Sequence, residues 1–236
     1  MMRIALIATT AALLLGACAS TPVLPDPTGT PSDVRRIPDY LLAPRIGTST
    51  TLRYTTRDVS VTNDTTTVVY ADYRYTVVDT AFAFTSDKRA RAVQRETIKG
   101  DVVTTDTTYH WANNDELITY ERLSDAIGRR RLAAPLAPGT TFLLRTPAGN
   151  EPANTYRIMS CVDTVITPLR TFTSCVHVRM QSSTETSTDV TVFSDDVWLA
   201  PDLGIVRQLQ TRITTDRMTQ QRVVSLLEFS LVAFSL

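Results

Sequence analysis

The stretch TTVVYADYRYTVVDT, residues Thr66–Thr80, decides the fold class that we expect of this chain. It is rich in β-branched and aromatic residues, which favour strands. Side chains of a strand alternate between two faces, and alternation here places one set together: Val69, Ala71, Tyr73, Tyr75 and Val77. The stretch therefore predicts one long strand of a sheet.

Segments of the same character continue on both sides of this stretch, and short polar turns separate them. Threonine is over-used along the chain while glycine, with 8 residues, is scarce. No βαβ pattern is visible, and only 39–43 and 124–126 indicate a helical turn. We therefore expect a mainly all-β fold, an antiparallel meander that forms a strongly curved sheet or half-open barrel, with minimal helix beyond the signal peptide. The other candidate strands are 48–58, 89–99, 102–111, 117–123, 128–132, 155–166, 171–182, 188–199, 203–215 and 221–234.

The last of these strands, VVSLLEFSLVAFSL (223–236), is apolar at both alternate sets of positions. An antiparallel strand with one wet face should alternate between apolar and polar residues. We therefore expect a central strand that is covered on both sides, with a partner-binding edge as the alternative.

Two stretches of the chain resemble each other. IGTSTTLRYTT (46–56) and PGTTFLLRTPA (138–148) both place Gly-Thr before an apolar strand that contains Leu-Arg. The similarity suggests two half-units, 47–134 and 135–236, within a single β-rich domain that spans 47–236. Chance similarity in a threonine-rich chain is the alternative.

The start of the chain fits export. Met1–Arg3 is basic and about a dozen apolar residues follow, too few for a stable membrane span of roughly 20 residues, so 1–17 is predicted to be a secretory signal peptide. Leu15-Gly16-Ala17-Cys18 resembles the bacterial lipobox. This resemblance implies that Cys18 receives lipid and becomes the first residue of a lipoprotein that is anchored to the membrane. Ala19, in place of an aspartate, favours the outer membrane.

A proline-rich segment follows the predicted lipidation site. Residues 19–46 hold six of the 12 prolines, and proline at this density prevents helix and cannot complete a sheet ladder. We expect 18–46 to be an extended, lipidated tether, whose apolar second half can pack onto the domain.

The other two cysteines lie in CVDTVITPLRTFTSC, which reads as a hairpin centred on Pro168. In that register Cys161 faces Cys175, at a separation near that of a disulfide. We therefore predict a surface disulfide between Cys161 and Cys175, which export to an oxidising compartment permits.

Motifs that carry chemistry are absent from the sequence. Only His110 and His177 are histidines, and the chain lacks G-x-S-x-G, H-E-x-x-H and a phosphate-cradling glycine loop. Asp195-Asp196 could supply paired acids for glycoside hydrolysis, but adjacent strand residues point to opposite faces. We therefore interpret this pair as a turn or bulge. We expect no catalytic residue, no metal site and no cofactor.

Charge excludes a nucleic-acid partner. The 24 basic and 24 acidic residues give a net charge of zero, and the basic residues are spread along the chain. Arg129-Arg130-Arg131 is the longest basic run and is expected to be a solvated strand or turn, with an anion site as the alternative.

Two stretches of the second half resemble parts of β-rich bacterial envelope lipoproteins. DVWLAPDLGIVR (196–207) is similar to their aromatic-x-APG-x-G hairpin, and PLRTFTSCVHV (168–178) is similar to the strand before it. Asp202 replaces a glycine of the first pattern, and Leu169-Arg170 replaces the usual Ala-Gly of the second. The resemblance implies a fold type, and some curved-sheet lipoproteins of the outer-membrane carrier type hold acyl chains on a concave apolar face.

Three functions are compatible with these features. The first is a non-enzymatic, membrane-anchored envelope lipoprotein that binds a lipid or another hydrophobic ligand on a concave sheet. The second is a structural or assembly lipoprotein that works through protein contacts. The third is a hydrolase, which needs His110 or His177 beside an acid and a hydroxyl in one cleft.

Overall fold

Twelve strands account for most of the chain in the computed structural model, which describes residues 35–59, 65–84, 88–125, 128–144 and 154–235. The predicted signal peptide, Cys18 and the first part of the predicted tether lie outside the described residues. The strands are β1 Ser49–Val59, β2 Thr65–Ala83, β3 Arg89–Lys99, β4 Val102–Ala112, β5 Glu116–Tyr120, β6 Arg129–Ala133, β7 Thr141–Leu143, β8 Thr155–Ile166, β9 Thr171–Glu185, β10 Asp189–Ala200, β11 Gly204–Asp216 and β12 Arg222–Ser235.

All twelve strands belong to one antiparallel sheet with the order β6-β5-β4-β3-β2-β1-β12-β11-β10-β9-β8-β7. The sheet consists of two six-strand meanders, joined where the first strand pairs with the last. Ser49 lies opposite Ser235 at this junction, and their hydroxyl oxygens are 3.1 Å apart. The prediction of an all-β antiparallel meander is confirmed, and β12 is central as expected, because it pairs with β1 and β11. The expectation that β12 is covered on both sides is wrong, since only Ser230 and Leu231 of this strand are buried and Val223 is 52% exposed.

The sheet curves until its two ends nearly meet. Beside β6, the backbone N–H of Arg130 donates a hydrogen bond to the carbonyl of Leu144, the residue after β7, at 2.5 Å. The short strand β7 lies within 138–148, the stretch whose resemblance to 46–56 indicates an apolar strand after Gly-Thr. The result is a nearly closed, barrel-like sheet with an interior.

The two meanders begin in the same way. Gly47 and Gly139 have φ angles of 91° and 94°, a conformation that glycine adopts without steric cost. Gly47 donates its N–H to the carbonyl of Val77 at 2.9 Å, and Gly139 donates to Ile158 at 2.8 Å. Val77 and Ile158 are both fully buried. The two stretches that resemble each other in sequence therefore share a local structure.

A 3₁₀ turn, Ile37–Tyr40, lies on the sheet although it falls inside the predicted tether. Ile37 and Tyr40 are each 1% exposed, and Leu42 is also buried. Each buried apolar side chain of this size stabilises the fold by about 2 kcal/mol. The described residues from Arg35 onward form one compact unit, so this part of the tether packs in the core.

The turn between β10 and β11 holds this segment in place. Asp202 donates its N–H to the carbonyl of Asp39 at 2.7 Å, and Ala43 donates to the carbonyl of Asp202 at 2.8 Å. Asp202 stands where the resembled hairpin has glycine, and its φ of 61° is one that aspartate tolerates. We call residues 37–42 the plug, because they lie across one side of the interior.

The main hydrophobic core joins the plug to both meanders. Its members are Ile37, Tyr40, Leu41, Leu117, Leu132, Phe142, Tyr156, Ile158, Val176, Val178, Met180, Val197 and Leu199.

Candidate functional site

A cavity of about 100 Å³ lies inside the sheet, and we take it as the candidate site. It is lined by strands of both meanders and by the plug, so that no single sequence segment makes it. The lining residues are Tyr40, Leu41, Leu42, Thr50, Leu52, Tyr75, Arg95, Thr108, His110, Leu117, Thr119, Glu121, Arg131, Leu199, Leu203, Gly204 and Ile205.

One wall of the cavity is apolar. The plug contributes Leu41 and Leu42, the strands contribute further aliphatic side chains, and most of this wall is buried. Gly204 also lines the cavity, and its φ of 70° is one that glycine adopts without steric cost. An apolar wall of this kind favours the hydrocarbon part of a ligand.

Another part of the lining, which we call the polar wall, is polar and cationic. Tyr75, His110 and Arg131 are deeply enclosed by protein and yet keep accessible side-chain surface, because they face the cavity. Burial raises the pKa of Tyr75. Burial also lowers the pKa of Arg131, and the charge of Arg129 lowers it further.

Arg131 reaches this position through a β-bulge. Leu132 pairs with Leu117 and Arg130 pairs with Ile118, so Arg131 is the extra residue between two paired positions. A bulge redirects the side chain of its extra residue and is common beside binding sites. The expectation that the triple arginine is solvated is therefore wrong for Arg131. Arg129 is exposed, and Arg130 forms an ion pair with Glu116 at 2.7 Å.

Arg95 and Glu121 line both the cavity and an open cleft at the surface. Arg95 Nη1 lies 2.9 Å from Glu121 Oε2, and its Nε lies 2.9 Å from Asp106 Oδ1. The hydrogen bond to Asp106 raises the pKa of Arg95. This ion-paired arginine therefore lies between the cavity and solvent.

His110 is neutral in this environment. Burial lowers its pKa to about 3, and the charges of Arg131, Arg91 and Arg95 act in the same direction. Its Nε2 lies 3.1 Å from Oγ1 of Thr108. The structure thus brings a hydroxyl to His110, but three arginines surround the ring, so it is a poor base at neutral pH.

His177 lies in a different cluster. Its Nε2 is 2.6 Å from Asp196 Oδ1, its Nδ1 is 3.3 Å from Asp163 Oδ2, and its ring stacks on Trp198 at 4.4 Å. Arg179 Nε also contacts Asp196 Oδ1, at 2.6 Å. Burial would raise the pKa of Asp196, but the hydrogen bonds from His177 and Arg179 outweigh it and lower the pKa. Both ring nitrogens of His177 therefore face carboxylates, an arrangement that orders the outer face of the strands.

Asp195-Asp196 lies within β10 and is not a turn, so that expectation is wrong. The two side chains do point to opposite faces. Asp195 accepts hydrogen bonds from the Tyr156 hydroxyl and, at 2.8 Å, from Gln208 Nε2. Both carboxylates are therefore held by separate structural networks.

The predicted disulfide is absent, since Cys161 and Cys175 are free thiols. Ile158 pairs with Val178 as predicted, but register shifts then place Cys175 opposite Asp163. Ser174 lies at this irregularity, with a φ of 58°. Cys175 is also 0% exposed, so it is not a surface residue. Burial raises the pKa of Cys175 to about 11 and raises that of Cys161 as well.

The described part of the chain contains no group of three or more His, Cys, Asp or Glu side chains that could hold a metal ion. In the same part of the chain, no helix has the length and apolarity needed to cross a membrane.

Comparisons with known proteins give two structural likenesses. A protein of Bacteroides fragilis, described as exported and as having a YmcC-like fold, aligns over 83% of this chain and 99% of its own, with 13% identity and a TM-score of 0.47. A protein of Parabacteroides distasonis, described as a lipoprotein, aligns over 82% and 97%, with 12% identity and a TM-score of 0.42. Both TM-scores are below 0.5, so neither likeness decides fold or activity. No family model and no curated protein matches the chain.

Proposed function

We propose that this chain is a non-enzymatic, membrane-anchored envelope lipoprotein that binds a small ligand with an apolar part inside its barrel-like sheet. The observation that carries the binding proposal is the cavity, whose lining combines aliphatic and polar side chains. The anchoring proposal depends on the lipobox at Cys18 and on the tether that follows it.

The cavity limits the size of the ligand. Pockets for drug-sized ligands measure roughly 300–1,000 Å³, and an engineered cavity of about 150 Å³ holds benzene. A cavity of about 100 Å³ suits a molecule of a few carbon atoms. A complete acyl chain of a membrane lipid would need the plug or the Arg95–Glu121 pair to move.

Hydrolysis is less well supported than binding. His110 has a hydroxyl neighbour, but its lowered pKa makes it a weak acceptor of the hydroxyl proton. His177 is held by Asp163 and Asp196. We therefore propose binding without turnover.

The test uses 1-butanol as a probe and the methyl NMR spectrum of the purified full chain in detergent. The methyl signals of Leu117 and Leu199, which line the cavity, are expected to shift as 1-butanol is added and to reach a plateau. The variant Thr119→Phe fills the cavity and is expected to abolish these shifts. Thr173→Phe, at an exposed position of β9, is the matched control and should bind like the unaltered chain.

Native mass spectrometry of the chain isolated from envelopes supplies a second measurement. A small molecule released from the unaltered chain, and absent from Thr119→Phe, supports the proposal. Absence of a released molecule together with unchanged Leu117 and Leu199 signals overturns it.

A further inference from the structure

We infer that the ligand of this cavity is a short-chain carboxylate, whose carboxylate group is bound by the guanidinium of Arg131. This inference rests on the proposed function, since it names the chemical class of the molecule in the same cavity. The inference depends on one unusual feature of the polar wall: the enclosed guanidinium of Arg131 has no counter-ion within the described residues.

Arg131 has no partner for its inner nitrogen. Its Nε is buried and has no hydrogen-bond partner, and no ion pair involves Arg131 among the described residues. Buried polar groups are nearly always hydrogen-bonded, and a buried charge is costly unless it is paired. Arg131 therefore has no counter-ion in the described chain, and binding an anion would offset the cost of burying its charge.

Glu121, which lines the cavity, and Asp195, whose partner Tyr156 acts on Arg131, are already engaged. Glu121 Oε2 lies 2.9 Å from Arg95 Nη1. Both oxygens of Asp195 accept hydrogen bonds, one from Tyr156 and one from Gln208. Neither forms an ion pair with Arg131 within this part of the structure. The missing anion is therefore best supplied from outside the chain.

The surroundings of Arg131 strengthen the preference for an anion. Arg91 and Arg95 lie near enough to influence His110, as Arg131 does. Arg91 donates to the carbonyl of Leu42 in the plug and lacks a carboxylate within ion-pair distance in the described chain. The ring of His110, between these arginines, carries no compensating negative charge. The enclosed polar wall is thus cationic.

Two features favour a carboxylate over an inorganic anion. The planar guanidinium matches the two oxygens of a carboxylate. The rest of the lining includes aliphatic side chains, among them Leu42, Leu117 and Leu199, and inorganic phosphate would leave them without a contact. A carboxylate with a tail of a few carbons satisfies both walls within about 100 Å³.

The experiment titrates the full chain in detergent with four probes, namely sodium butyrate, 1-butanol, butylammonium chloride and inorganic phosphate, at constant ionic strength. Butyrate is expected to bind at least about tenfold more tightly than 1-butanol, because a charge-assisted hydrogen bond is worth roughly that factor. Butylammonium is expected to bind more weakly than either.

Arg131→Gln and Arg131→Met test the residue, and Arg212→Gln, at an exposed position of β11, is the control. Both Arg131 variants should lose the preference for butyrate over 1-butanol, and Arg212→Gln should keep it. If Arg131→Gln weakens folding, Arg131→Met still decides the question, because it removes an unpaired enclosed charge and should raise the melting temperature of the ligand-free chain.

The outcomes separate the two proposals. Equal affinity for butyrate and 1-butanol, or a preference for butyrate that survives both Arg131 variants, overturns this inference and leaves the proposed function standing. Tighter binding of phosphate than of butyrate overturns the carboxylate class. Failure of both butyrate and 1-butanol to bind overturns the proposed function itself.

Discussion

Thr108 and His110, which are separated by one residue of β4, are joined by a side-chain hydrogen bond. The Thr108 hydroxyl donates to the carbonyl of Val93 at 3.4 Å, and Nε2 of His110 lies 3.1 Å from the same hydroxyl oxygen. Because the hydroxyl hydrogen is used by Val93, we assign the ring proton of His110 to Nε2, which donates to Thr108. The pair therefore holds the neutral form of the imidazole.

The first prediction concerns acid stability. His110 is neutral in the folded chain down to about pH 3, whereas an unfolded histidine takes up a proton below about pH 6.5. The unfolded state therefore binds more protons between these values, and the free energy of unfolding falls as pH decreases through this window. The slope due to His110 is about 1 kcal/mol per pH unit. Urea unfolding at pH 4.5, 5.5 and 7 measures it.

His110→Gln keeps a side-chain donor for Thr108 and removes this titration. The variant is expected to show a shallower loss of stability between pH 7 and pH 4.5 than the unaltered chain. Equal slopes in the two proteins would mean that His110 is protonated in the folded state, contrary to its position among the arginines.

The second prediction concerns the thiols. Iodoacetamide applied without reductant should label Cys161 slowly and Cys175 not at all in the folded chain, because both pKa values are raised by burial and Cys175 is fully buried. After denaturation without reductant both should be labelled, as peptide mass spectrometry can show. Labelling that requires prior reduction would instead reveal a disulfide.

The third prediction concerns a buried carboxylate. Tyr156→Phe removes the hydroxyl that donates to Asp195, while both residues are about 5% exposed or less. Leaving a buried charged group short of a donor costs about 1–3 kcal/mol. Urea unfolding should show a lower midpoint with an unchanged m-value. Tyr70→Phe, at a residue that is 48% exposed, should leave the midpoint unchanged, and an equal loss in the two variants would argue against the role of the hydroxyl.

The fourth prediction compares the starts of the two meanders. Gly47→Ala and Gly139→Ala should each cost about 1–2 kcal/mol, because alanine resists a positive φ. The added methyl meets nothing within 4 Å at Gly47 and only Arg157 Nη2 at 3.7 Å at Gly139, so the cost is conformational. Gly47→Asn and Gly139→Asn should cost less. A large effect at one glycine alone would show that the two positions are not equivalent.

The fifth prediction concerns the anchor. Growth with radiolabelled palmitate should label the chain, and Cys18→Ser should abolish the label and release the protein from the membrane fraction. Cys161→Ser, which changes a cysteine outside the lipobox, is the control and should keep the label. Labelled Cys18→Ser protein would contradict the anchor at this residue.

Much of the fold could be predicted because its signal is local. The ranges Arg89–Lys99 and Thr155–Ile166 coincide with the predicted strands, since alternation and short polar turns are visible in any window of the sequence. The pairing of Cys175 could not be predicted, because the irregularity at Ser174 depends on how two strands fit together.

The candidate site was missed for the same reason. Arg131 reads as the end of a charged, solvated run, and its place in the interior depends on a bulge against β5. Leu132, which is buried, follows it directly, and regular alternation would then place Arg131 on the outer face. His110 was recognised as one of two histidines, but the arginines that lower its pKa come from other strands.

The pairing of β1 with β12 has a consequence for how the chain folds. Ser49 and Ser235 are neighbours in the sheet although 186 positions separate them. The central seam of the sheet therefore has a very high contact order, and such topologies fold slowly. A chain that stops before Arg222 would leave β1 and β11 as open edges, which are prone to pair with other chains. β12 thus supplies the hydrogen-bonding partner of β1, and the two meanders are joined only when β12 has been synthesised.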